Sequence, residues 1–172
     1  MKRNLTVLVL LLVFAISGCK KEAIEFQKDF DKSFKTWLDF KASASNNYKY
    51  QLVTNSWSGS STQTTITVKD GKVVQREYIS KTVKQPGNVI TIHEDWVENG
   101  QELYSHKNYG AILTLDEIYE KAKTELLIKR DDAEVSFESK NNGMISSCGY
   151  VPKNCADDCF SGFSISFIER IK

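Results

Sequence analysis

The chain opens on an apolar run, residues 5–16, broken only by Thr6 and preceded by Lys2 and Arg3. A cationic start and an apolar stretch this short predict an export signal, because a membrane-spanning helix needs roughly 20 apolar residues. The pattern then turns helical. Phe26, Phe30, Phe34, Trp37 and Leu38 recur at helical spacing, with Lys28, Asp31 and Asp39 mostly opposite. This predicts a helix over residues 25–42 whose aromatic stripe covers a sheet.

Alternation follows. Tyr48, Tyr50 and Leu52 alternate with polar neighbours, as do Thr64, Ile66 and Val68, the period of half-buried strands. Asp70-Gly71 is a two-residue hairpin signal, since both positions tolerate positive φ. Residues 56–61 and Gln85-Pro86-Gly87-Asn88 read as loops, and residues 89–97 as a strand. Asn99-Gly100 is expected to turn that strand back into another over 101–107. Thr114-Leu115-Asp116-Glu117 fits a capping box, with Leu113 and Ile118 placed as a hydrophobic staple. The helix it opens is expected to bury Leu115, Ile118, Tyr119, Ala122 and Leu126. Three further strands are read at 135–137, 144–148 and 163–167, with Asn141-Asn142-Gly143 as the first turn between them. The order predicts an α+β fold, an antiparallel meander covered on one face by two helices. Residues 1–18 are expected to form a leader, 19–25 a tether, and 26–172 a single domain.

Composition changes this picture little. Hydrophobic residues make up 41% and charged residues 26%, so collagen-like and disordered classes are excluded. The net charge is +1, and without the leader's Lys2 and Arg3 it becomes −1. A near-neutral chain lacks the basic excess of a dedicated nucleic-acid binder, so no nucleic-acid partner is expected.

The end of the leader is the most informative segment. Ile16-Ser17-Gly18-Cys19 resembles the bacterial lipobox, in which the cysteine thiol accepts diacylglycerol and the chain is cut before it. Acyl chains, at about 0.8 kcal/mol per buried methylene, hold a domain at a bilayer without a spanning helix. Cys19 is therefore read as the lipidation site and the membrane as a partner through that anchor. Lys20 in place of Asp resembles the Gram-negative signal for the outer rather than the inner membrane.

Further along, Trp37, Tyr48-Lys49-Tyr50, Thr67-Val68-Lys69-Asp70-Gly71-Lys72-Val73-Val74, Thr114-Leu115-Asp116-Glu117-Ile118, Asn142-Gly143 and Gly149-Tyr150 follow one another. In that order they resemble an uncharacterised family of small bacterial lipoproteins, known only as a domain of unknown function. The resemblance implies a fold and an envelope address. It implies no catalytic residue.

Candidate chemistry is sparse. Ser58-Gly59-Ser60-Ser61 lacks the lysine of a phosphate-cradling loop, and Gly162-Phe163-Ser164-Ile165-Ser166 lacks the second glycine of a nucleophile elbow. No cofactor is implied and no enzyme is expected. The leading expectation is a non-catalytic envelope module that binds a protein or small ligand, recognisable by an exposed aromatic patch drawn from Tyr48, Tyr50, Trp57, Tyr104 and Tyr109. The alternative is metal capture or sensing. If Asn99-Gly100 is a two-residue hairpin, His93 faces His106 with Asp95 two residues away on the same face, a donor set for a weak transition-metal site. Setting Cys19 aside, Cys148, Cys155 and Cys159 remain in an oxidising compartment. Cys148–Cys159 is the favoured disulfide, because it joins the base of a hairpin and closes the larger loop; Cys155–Cys159 is the alternative.

Overall fold

A computed structural model describes residues 24–84, 86–110, 112–157 and 159–171. The leader and Cys19 lie outside the described residues. Helix α1 (Gln27–Ser43) leads into strands β1 (Tyr48–Asn55), β2 (Ser60–Lys69), β3 (Lys72–Lys84) and β4 (Val89–Asn99). Helix α2 (Leu115–Lys121), extended by a π turn over Ala122–Leu126, precedes β5 (Ala133–Glu138), β6 (Ser147–Pro152) and β7 (Ser161–Arg170). The strands form one seven-stranded sheet in the order β4-β3-β2-β1-β7-β6-β5, and every pairing is antiparallel. The fold is α+β with strands predominating.

Local chemistry accounts for most boundaries. Asp70 and Gly71 sit at φ 48° and 75°, so the hairpin twist matches the strands it joins. Thr114 caps α2 with a full capping box: its hydroxyl accepts from the Glu117 amide, and the Glu117 carboxylate accepts from the Thr114 amide. All five residues expected on the buried side of this helix are buried. In α1 only part of the aromatic stripe is covered. Phe30 and Trp37 are buried, but Leu38 is exposed and Phe26 precedes the helix at φ 59°, also exposed.

The core unites helices and sheet through rings with polar tips. Trp37 meets Tyr48 edge-on at 4.9 Å and lies parallel to Tyr119 at 6.3 Å. Its indole N–H donates to Asp116 at 2.9 Å. Tyr48 accepts from the Leu115 amide at 3.0 Å, and Tyr119 accepts from the Ile145 amide at 2.9 Å. Burial pushes the Tyr119 hydroxyl up to about 12, so these phenols stay neutral donors and acceptors across the physiological range.

Three expectations fail. No strand forms over 101–107; a short 3-10 turn, Gly100–Glu102, and a loop follow β4 instead. The strand expected at 144–148 begins only at Ser147, because Met144 and Ile145 turn into the core after the Asn142-Gly143 turn. Among the expected patch residues, Tyr48 and Tyr50 are wholly buried while Trp57 and Tyr104 are exposed; the aromatic patch is not assembled.

Candidate functional site

Strand β7 changes partner along its length. Ser161, Gly162, Phe163 and Ser164 pair with β6, and pairing with β1 begins only at Ile165. Strand β1 mirrors this: it follows β2 as far as Asn55 but meets β7 no further than Leu52. The sheet therefore forks beyond the Leu52–Ile165 rung. Between the arms lies a groove of about 480 Å³, whose walls include Val53, Asn55, Gly162 and Ser164.

Ladder alternation shows what faces this groove. The Ser56 amide donates to the Ser60 carbonyl at 2.8 Å, so residues 54 and 52 also bond toward β2, while the backbone of 53 and 55 points the other way. The Ile165 amide donates to the Ser146 carbonyl at 2.7 Å. By the same alternation the backbone of Gly162 and Ser164 points away from β6. Among the described residues no strand lies opposite the backbone groups of Asn55 and Gly162 on that side.

The groove walls are neutral. Thr54, Thr62 and Ser80 form one cross-strand row, joined at the rim by Ser56, Ser60, Ser61 and Ser164. Many hydroxyls are engaged within the sheet: Thr54 with Thr62 at 2.6 Å, and Ser60 with Thr82 at 3.4 Å. Phe160, 41% exposed, supplies an aromatic wall. Among the described residues no Lys, Arg, Asp, Glu or His lines the groove.

A second constellation sits on the same sheet face near β4. Glu98 and Arg76 are direct cross-strand neighbours and both are buried. The Arg76 Nε donates to Glu98 Oε2 at 3.0 Å, and its Nη2 donates to the His106 carbonyl at 2.8 Å. Glu98 also accepts from the Tyr104 amide at 3.2 Å, the Ser105 hydroxyl at 2.9 Å and the His106 amide. Burial alone would raise the Glu98 pKa; the bonds from Arg76, His106 and Ser105 outweigh it and hold the carboxyl well below the usual carboxylate range. This carboxylate explains the missing strand: the chain after Asn99 curls around it, gathering three donors from residues 104–106. His106 stacks on Trp96 with ring centroids 3.9 Å apart, and Tyr109 meets Trp96 edge-on at 5.1 Å.

Ser105, His106 and Glu98 have the residue types of a hydrolytic triad but not its geometry. His106 Nδ1 lies 3.2 Å from the Ser105 Oγ and 2.7 Å from Glu98 Oε1. In a triad the acid and the hydroxyl occupy opposite ring nitrogens, so that the acid orients the ring while the other nitrogen takes the proton. Here one nitrogen serves both, and the cluster ties down a loop.

The expected metal donors are not brought together as cross-strand neighbours. His93 lies at a bulge in β4 and hydrogen-bonds Thr82 at 2.8 Å, Asp95 pairs with Ile79, and His106 is held at Glu98. The hairpin that would have joined them is replaced by the loop. Among the described residues no group of three His, Cys, Asp or Glu side chains can hold a metal ion. The favoured disulfide is also corrected. Cys155 pairs with Cys159, Cα atoms 6.2 Å apart, and Cys148 is a buried free thiol. Cys148 faces Phe137 and Phe163 across neighbouring strands, which fixes it in the core and away from the 155–159 loop.

Neither the groove nor the Glu98 cluster is named by the motifs. The signal for the cluster is the alternation Glu94, Trp96, Glu98 on one strand face; an acidic residue in phase with a half-buried tryptophan asks for a buried partner. The signal for the groove is the Ser/Thr density between residues 54 and 65. No family model, no curated protein and no solved structure matches the chain.

Proposed function

We propose that this protein is a bacterial envelope lipoprotein, anchored through Cys19 with the outer membrane as its address, that binds a partner in the forked groove without chemistry. In this reading the two helices cover one face of the sheet and close its apolar part, so that recognition falls to the end they leave open. The observation that carries it is the fork itself: two strands lose each other as partners while their backbones still point into a shared 480 Å³ space. Concave sites with few, well-placed polar groups are where small guests and segments bind. The groove's wall, with no His, Asp or Glu among its described residues to activate the serines and threonines, favours holding over transformation.

The test places a photo-crosslinking amino acid at position 160, inside the groove, and at position 140, where the lysine is well exposed, in cells making the full chain. Adducts at 160 and none at 140 support the reading; equal adducts at both contradict it. In parallel, Cys19→Ala should abolish acyl labelling and release the domain from membranes. Labelling that persists overturns the anchor.

A further inference from the structure

We infer that the guest of the groove is an uncharged, extended peptide segment bound by strand addition, an inference that rests on the groove being the recognition site. Strand addition uses main-chain hydrogen bonds for affinity and side-chain pockets for selection. The fork offers both. Asn55 on one arm and Gly162 on the other turn backbone donors and acceptors into the groove, with no strand opposite among the described residues. On either arm such groups repeat every second residue, the spacing at which an extended chain presents its own amides and carbonyls.

Side chains narrow the guest further. Among the described residues the walls hold no charge, so a charged residue entering the groove would lose water and gain no partner there. Val53 and Phe160 offer apolar surface to alternate side chains, and Gly162 adds no side chain to its arm. The hydroxyls are the reason a peptide fits better than a sugar. Thr54 and Thr62 are bonded to each other, and Ser58 to Ser56 and Ser60. A polyhydroxylated ligand would compete with those bonds for the remaining hydroxyl valences, whereas the open backbone groups ask for amides.

The experiment selects a hexapeptide library restricted to Ala, Ser, Thr, Val, Asn, Gln and Phe on the full-length lipoprotein in detergent. Selected peptides, and separately cellohexaose, are then followed by residue-resolved amide hydrogen exchange. Strand addition predicts that exchange at Asn55 and Gly162 slows by at least about tenfold, and that N-methylation of alternate peptide residues abolishes the effect. Phe160→Ala should weaken binding about tenfold, the size of one buried aromatic wall, while Lys140→Ala leaves it unchanged. If the N-methylated peptide binds equally well, strand addition is wrong although the groove reading stands. The same holds if cellohexaose slows exchange at these residues and no peptide does. If neither probe changes exchange at Asn55 or Gly162, both readings fail.

Discussion

One cross-strand row runs through most of the sheet: Ile168, Tyr50, Ile66, Arg76 and Glu98 are successive neighbours on β7, β1, β2, β3 and β4. All five are buried, yet its two ends are stabilised by different physics. At the β7–β1–β2 end the row meets aromatic and aliphatic side chains in the main hydrophobic cluster. At the β3–β4 end it is an ion pair roofed by the loop after β4. Apolar burial is tolerant, because any well-packed side chain of the right volume serves. A buried carboxylate is not, because each donor it loses leaves desolvated charge behind. One end of the face can therefore vary while keeping its shape. The other depends on a particular set of donors.

Breaking the apolar end should cost most. Trp37→Ala removes a fully buried ring and leaves Asp116 without its indole donor; a loss of about 3–5 kcal/mol in unfolding free energy is expected, measured by urea denaturation. Glu98→Gln keeps volume but removes the charge opposite Arg76, and should cost about 1–3 kcal/mol. Its signature lies in the pH dependence. Because the folded carboxyl titrates below its unfolded counterpart, its contribution is complete above the ordinary carboxylate range and is lost as pH falls toward the folded value. The wild-type chain should thus lose more stability than Glu98→Gln as pH drops below about 4.3, and parallel curves would contradict the clamp. Thr114→Ala removes one capping hydroxyl from α2 and should cost about 1 kcal/mol, read from the same denaturation curves. The smallest effect is chemical. Burial pushes the Cys148 thiol up to about 12, so iodoacetamide at pH 8 should leave the folded, unreduced domain unlabelled and mark Cys148 only after denaturation.

The same contrast explains what the chain reveals in advance. The Asp70-Gly71 hairpin, the capping box at Thr114 and the buried face of α2 are local events, each written within a few neighbouring residues. The Glu98 clamp is not local. It needs Arg76, 22 positions away, and it replaces the hairpin that Asn99-Gly100 suggests with a loop. Once that hairpin is gone, the His93–His106 pairing goes with it. Cys148 shows the same effect. Its expected bond to Cys159 follows from distance along a hairpin, but the residue's strand phase turns the thiol into the core beside Phe137 and Phe163. The fork is least legible of all, because it arises where β7 leaves β6 for β1, strands more than 100 residues apart in the chain.

Between β1 and β7 the sheet is unfinished inside its own span. Amide hydrogen exchange on the ligand-free, full-length protein tests it most directly, since exchange reports on whether a strand amide is engaged. The fork predicts fast exchange at Asn55 and Gly162 although both lie inside strands, against slow exchange at Thr54 and Phe163, their immediate neighbours that bond within the ladder. Equal protection of all four amides would mean that the sheet is closed there, and the groove would lose its standing as a recognition site.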